Sequence, residues 1–414
     1  MEQLESLRRS TGAALCLACA KCSTMCPLSP SGWFSAARMV AIRDPEGEVG
    51  GQALALNACL TCGSCEVRCP EGVHFTDFVR GLRELTPVNG RQTCPHGEFV
   101  QSAARLMAES ETTRRDLSWV TDDLEVAEEG EIALFVGCLS IFDILFEHDL
   151  GVRTIDIARA AIRLLNRLDI KPVLLREERC CGHDLLWRGE LETFKALARA
   201  NTAAFEARGV KRILTTCAEC CRTWRLDFPE VVPGYQPRVE HLSEFLADRI
   251  ASGELTSTAE SAPAVTFQDP CRLGRHLEVT EAPRQVLNAA LEGTGSDKAN
   301  GGSPILEMQR SGRDAVCCGT SGFMHCDANS QRLQAERLAN AAATGADTLV
   351  TACPKCLIHF RCAQNEDRRR QRDTATIEVE DLTILAAAML DRVRPTHSDA
   401  ASGESETQQT GESR

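Results

Sequence analysis

The run Cys180-Cys181-Gly182 recurs at Cys317-Cys318-Gly319, and each copy stands inside the same wider frame of cysteines. Cys138 lies upstream of the first run and Cys217 and Cys220 downstream; Cys271, Cys353 and Cys356 take the same places around the second. The offsets between copies are 133 (271 minus 138), 137 (317 minus 180) and 136 (353 minus 217). Unrelated cysteines do not hold register over such a span, so the chain contains one unit built twice.

Between these cysteines, short apolar runs alternate with longer stretches of helical period. Residues 132–136, 173–175 and 212–215 read as strands and 153–168 and 191–207 as helices; in the second copy 265–268 and 348–350 read as strands and 282–291 and 331–343 as helices. Alternation of this kind predicts a small parallel sheet flanked by helices in each copy. The copies also end alike, since Val239-Glu240-His241-Leu242 answers Val379-Glu380-Asp381-Leu382. The predicted organisation is a mainly α region over 1–90, a connector over 91–130, cysteine-rich domains over 131–252 and 263–394, and a disordered tail over 395–414. The polar stretch 252–263 reads as the boundary between copies and 293–304 as an exposed inserted loop. The tail is Ser, Glu, Gln, Thr and Gly with almost no apolar residue.

Twenty-two cysteines in a chain with no apolar leader ahead of Cys16 argue for metal ligands in the reducing cytosol rather than disulfides. A formal net charge of -13 argues against nucleic acid as a partner. Arg368, Arg369, Arg370 and Arg372 form too short a basic run to change that, and read as a solvated turn. No apolar stretch reaches the roughly 20 residues needed to span a bilayer, so contact with a membrane is expected only through a partner.

The first 90 residues carry two runs, Cys16-x2-Cys19-x2-Cys22-x3-Cys26-Pro27 and Cys59-x2-Cys62-x2-Cys65-x3-Cys69-Pro70. This is the bacterial ferredoxin spacing, in which three thiolates cover three corners of a 4Fe-4S cube and the fourth cysteine of each run ligates the other cluster. The expected sets are Cys16, Cys19, Cys22 and Cys69 for one cube and Cys59, Cys62, Cys65 and Cys26 for the other. Zinc would need only two Cys-x2-Cys pairs and leaves half of these cysteines and both prolines unexplained. The apolar positions Phe75, Phe78, Val79, Leu82 and Leu85 read as the core face of a helix.

Adjacent cysteines do not easily take two ordinary corners of one cube, so an opened or distorted cluster is their natural host; as a bland reading they are buried hydrophobes or a redox disulfide. Gly182 and Gly319 allow a positive φ or a close backbone approach beside the paired thiols. Cys217 and Cys353 each follow an apolar strand, at the carboxyl end where open sheets bind ligands. With two ferredoxin runs followed by two such frames, residues 10 to 390 resemble the D-type subunits of heterodisulfide reductase, which are similar to a fusion of that family's C and B subunits.

The resemblance implies an iron-sulfur oxidoreductase acting on sulfur groups as part of a larger complex. It implies a noncubane 4Fe-4S cluster on Cys138, Cys180, Cys181, Cys217 and Cys220 and another on Cys271, Cys317, Cys318, Cys353 and Cys356, in addition to the two cubes. The two would clamp a disulfide, of a small molecule or a protein, between Cys180-Cys181 and Cys317-Cys318, with His183 as a candidate proton donor beside them. No flavin or nicotinamide fingerprint is evident, so electrons are expected from a separate cytochrome b or flavoprotein. The alternative implied by the same layout is an electron-transfer component of a quinone-linked dehydrogenase or membrane redox complex, with no substrate of its own. Two departures stand out: Cys221 follows Cys220 directly, with Cys220 favoured as ligand by its match to Cys356, and the family's Asp-Pro-Cys-His run reads Asp269-Pro270-Cys271-Arg272, with His276 four residues on. Cys94, Cys326 and Cys362 lie outside every frame and read as packing residues.

Overall fold

The strand signals translate into two three-stranded parallel sheets, one per copy. The computed structural model describes residues 2–31, 34–42, 56–86, 95–109, 114–294, 304–320, 326–370 and 377–393. In the first copy β1 (Ile132–Phe135), β2 (Arg212–Thr215) and β3 (Arg238–His241) pair in that order, with Ile132 opposite Arg212 and Arg212 opposite Arg238. After the short β4 (Leu255–Ser257), the second copy repeats the arrangement with β5 (Val265–Gln268), β6 (Thr348–Thr351) and β7 (Glu378–Asp381). Every residue of β5 and β6 is buried, as befits parallel strands with helices on both faces.

The expected strand at 173–175 does not form. Val173 makes only isolated parallel bridges, to Ala127 and Ala133, and Ile305 bridges Val265 in the second copy. The polar stretch 252–263 is also more than a boundary, because β4 lies within it and pairs antiparallel with β8 (Leu390–Arg392), the last strand described. Both differences concern segments of one to three paired residues, too short to carry a periodic pattern. The tail over 395–414 and most of the inserted loop at 293–304 lie outside the described residues.

The copies embrace reciprocally. The helix Leu242–Ala251, which ends the first copy, packs on Glu281–Leu291 of the second; Leu382–Met389, near the end of the second, packs on Ile155–Arg167 of the first. Both receiving helices bury apolar residues, among them Ile155, Ala158, Ile162 and Leu165 in one and Pro283, Val286, Leu287 and Ala290 in the other. Such mutual exchange is the geometry of two units related by a two-fold axis. Ahead of them the helix Phe75–Leu85 buries Phe75, Phe78, Val79 and Leu82, and packs on both Glu2–Ser10 and His183–Arg188. Among the described residues no helix is long and apolar enough to cross a membrane.

The cysteines collect at the carboxyl ends of the sheets. Cys138 and Cys217 cap the helices that follow β1 and β2, Cys271 opens the helix after β5, and Cys353 caps Pro354–Arg369 after β6. Gly182 and Gly319 turn the chain at φ 76° and 88°, and a Cβ on Gly319 would lie 3.0 Å from the Ser330 carbonyl oxygen. Gly345 shares the conformation, at φ 80°, but stands in open space. Gly345→Ala should therefore cost about 1–2 kcal/mol of left-handed backbone strain, and Gly319→Ala roughly 1–3 kcal/mol more from the close contact. Denaturant midpoints compare the two, and equal losses would show that the Ser330 approach contributes nothing.

Candidate metal centre

The structure brings Cys26 of the first run together with Cys59, Cys62 and Cys65 of the second. All four line one cavity, with Phe34 and Leu60 among its walls. Burial pushes the Cys26 thiol up to about 12 and Cys59 to about 11, and the neighbouring thiols Cys62 and Cys59 raise Cys26 further. Cys22 is raised by burial and then by Cys16 and Cys69, which places those three together, while Cys19 is exposed on their outer side. The two loops repeat one geometry: Ala18 donates its N–H to Cys16 Sγ at 3.5 Å and Thr61 to Cys59 Sγ at 3.4 Å. Both donors sit at positive φ, 54° and 44°, a strained conformation that turns backbone N–H groups inward onto sulfur.

Within the first frame Cys138 donates to Cys180 across 3.3 Å and Cys220 to Cys181 across 3.4 Å, and Cys217 is hydrogen-bonded to Cys220. The second frame repeats this with Cys271 against Cys317, Cys356 donating to Cys318 at 3.3 Å, and Cys353 beside Cys356. Cys220, rather than Cys221, faces the paired cysteines; Cys221 lies toward Arg225 and Glu244, and burial pushes its thiol up. Two further thiol contacts link the groups. Cys62 of the ferredoxin loop meets Cys317, and Cys217 of the first frame meets Cys353 of the second.

Donor chemistry and burial together test what these groups suit. Unligated thiols packed this densely cannot all ionise together: hydrogen bonds from neighbouring thiols lower Cys62, Cys180, Cys217, Cys271 and Cys318, while burial and those same neighbours raise Cys138, Cys181, Cys220, Cys317 and Cys356; a soft cation removes the conflict by taking them all as thiolates. Four cysteines around one cavity and five around each frame fit iron-sulfur clusters by number and softness of donor. Disulfides are not formed: each described cysteine is free.

A buried charged cluster beside the frames joins the two copies. Lys355 pairs with both Asp184 and Glu219, and all three are buried. Burial lifts the Glu219 carboxyl to about 8, against the pull of Lys355. His183, Asp184 and Glu219 have ligand atoms within 4.8 Å of one another, but the Lys355 ammonium already serves as their cation. His183 is held neutral by burial and by the surrounding Arg272, Lys355 and Arg222. Its ring nitrogens are engaged by Thr223 Oγ1 at 2.9 Å and the Arg272 Nε at 3.3 Å.

Several site residues carry no signal of their own in the sequence. Glu178 accepts the N–H groups of Val136 and Gly137 at 3.1 and 2.8 Å and so pins the turn into Cys138, while His359 Nδ1 lies 2.8 Å from the Cys318 carbonyl oxygen. Glu219 and Lys355 hold the third place of Cys217-x2-Cys220 and Cys353-x2-Cys356, so opposite charges at matching positions were the available clue. Cys326 is exposed and Cys362 half-buried, bordering a surface cavity rather than packing in a core; Cys94 lies outside the described residues.

The family described as a cysteine-rich domain matches residues 132–224 and 265–361. The chain is 30% identical over 357 residues to the D subunit of the dihydromethanophenazine:CoB–CoM heterodisulfide reductase of Methanosarcina acetivorans, covering 84% of this chain and 80% of that one. It is 29% identical to a probable membrane-anchored ferredoxin of Chromohalobacter salexigens, over 86% of this chain and 52% of that one. An EtfAB:quinone oxidoreductase of Syntrophomonas wolfei is 26% identical, over 77% and 45%. With two cysteine-rich domains, and with 30% identity over four fifths of a relative, the chain belongs to the family of heterodisulfide reductase D subunits.

Proposed function

We propose that the chain is the disulfide-reducing subunit of a redox complex, with Cys16, Cys19, Cys22 and Cys69 holding an outer cube, Cys26, Cys59, Cys62 and Cys65 an inner one, and the two five-cysteine frames a noncubane cluster each. The observation that carries this reading is the nearness of the three thiol groups: Cys62 of the inner group interacts with Cys317 of the second frame, and Cys353 of that frame with Cys217 of the first. Bound clusters would supply one-electron storage and, at the frames, iron with affinity for sulfur. The proposed reaction is R–S–S–R′ plus two electrons and two protons giving RSH and R′SH. The chain's part is to hold the two frames face to face, with Lys355, Asp184 and Glu219 fixing their separation.

The geometry favours a positioning role for His183, which ties Thr223 to Arg272, over proton donation. The division into 1–90, 91–130, 131–252 and 263–394 serves the same reading: a relay, a connector and two halves of one site. The electron donor would be a separate cytochrome b or flavoprotein on the cytoplasmic side, with any membrane contact made through that partner. A second reading, electron transfer toward quinone without substrate chemistry, is favoured by the likeness to the EtfAB:quinone oxidoreductase. The completeness of both frames supports the first.

Iron content after anaerobic reconstitution separates the two. Four occupied sites require about 16 iron atoms per chain and two cubes about 8; a value near the lower figure in folded protein sinks the noncubane assignment. Cys318→Ala should abolish disulfide reduction by an artificial electron donor, while the electron paramagnetic resonance signals of both cubes persist. Unchanged turnover would remove the second frame from the reaction.

A further inference from the structure

Three buried arginines wrap the loop that carries Cys59 and Cys62, and among the described residues none is paired with a carboxylate. Arg83, 3% exposed, donates to the carbonyl oxygens of Leu56 at 2.9 Å, Cys59 at 2.7 Å and Trp187 at 2.6 Å. Arg272, 2% exposed, donates to the Thr61 carbonyl and, at 2.8 Å, to its hydroxyl, with its guanidinium 4.1 Å over the Trp187 ring. Arg275 donates from Nε to the Cys62 carbonyl at 2.6 Å, and one of its terminal nitrogens is buried without a partner. Carbonyl oxygens satisfy the geometry of these donors but do not neutralise their charge.

The nearby carboxylates do not supply the missing charge. Asp269 approaches Arg275 but is committed to Arg284, at 2.7 and 3.0 Å, and to the Gly312 N–H. Glu66 lies beside Cys65 and accepts the Thr76 N–H at 2.5 Å. Among the described residues, three guanidiniums thus face one carboxylate around Cys26, Cys59, Cys62 and Cys65. Arg83 and Arg272 favour the Cys59 thiolate and Arg275 that of Cys62. The other ferredoxin group has no buried counterpart to these: Cys19 is exposed, and the cations next to its cysteines in the chain, Lys21 and Arg68, are solvent-exposed, with Arg68 paired to Asp314.

We propose that Arg83, Arg272 and Arg275 are the counter-charge of the inner cube, and that they set its reduction potential above that of the outer one. The proposal rests on the two-cube reading. A thiolate-bound cube is a net anion that gains another unit of negative charge on reduction, so fixed buried cations stabilise the reduced state more than the oxidised. Electrons arriving beside exposed Cys19 would then settle on the group whose Cys62 touches Cys317. Arginine stays protonated even when buried, so the effect needs no titration. Two of the three charges come from the short helix that begins at Cys271 and its C-cap, so the second frame supplies part of the field around the cube that feeds it.

Redox titration of the full-length reconstituted protein, followed by electron paramagnetic resonance, tests this. In Arg275→Gln the inner-cube potential should fall by 59 mV or more, a tenfold change in a one-electron equilibrium, with the outer-cube potential unmoved. Arg275→Lys, which keeps the charge and loses the fork of hydrogen bonds, should stay near the parent. An unshifted potential in Arg275→Gln, or an equal fall in both variants, overturns the assignment. Should Arg275→Gln not assemble its cube, Arg272→Gln and Arg272→Lys are read by the same criterion. A parent protein that binds no cubes overturns the two-cube reading itself, whereas a parent with both cubes and unshifted variants overturns only the arginine assignment.

Discussion

Cys217 meets Cys353, and most of the architecture can be understood as what keeps that meeting in place. Two thiols from different copies touch only if both sheets present their carboxyl ends to the same space. The reciprocal helix packing provides this, since Leu242–Ala251 of the first copy sits on Glu281–Leu291 of the second and Leu382–Met389 of the second on Ile155–Arg167 of the first. The pairing of β4 with β8 joins the segment between the copies to the end of the second, and closes the exchange. Apolar burial along Ile155–Arg167 and Glu281–Leu291 stabilises the arrangement, and the buried Lys355 pairs give it register.

The repeat is legible in the sequence because its signals are periodic or covalently spaced. The expected strands 212–215 and 265–268 coincide with the observed ones, and the helices 153–168 and 191–207 end within two residues of the observed bounds. Cysteine spacing alone groups the thiols that the structure places together, including the crossing of Cys26 to the second run. What stays hidden has no period. β4 spans three residues in a polar stretch, and Val173 joins the sheet through single bridges that no pattern announces.

The buried charges are hidden for a different reason. Arg83, Arg272 and Arg275 look like ordinary solvated residues in a chain with a quarter of its residues charged. Their burial follows from tertiary contact between the helix Phe75–Leu85, the loop at Cys59–Cys62 and the helix at Cys271. The departure at Arg272 is visible as a missing histidine, yet its consequence is not. A longer, permanently charged side chain reaches both Thr61 and His183, joining the ferredoxin loop to the first frame as well as the second.

Fusion of the copies into one chain permits something a symmetric dimer of single units does not. In a two-fold dimer the third residue of each Cys-x2-Cys turn would be the same amino acid, so two like charges would face each other at the axis. Here the positions have diverged to Glu219 and Lys355, which pair where repulsion would otherwise stand. The divergence also makes the halves unequal, with Lys355 of the second copy acting on Cys180 and Glu219 of the first lying within reach of Cys353. The ferredoxin loop's Cys62 lies against Cys317 of the second frame. A site with an acidic residue on one side of its midline and a basic one on the other, and with the ferredoxin loop against its second half, has a direction that two identical halves could not provide.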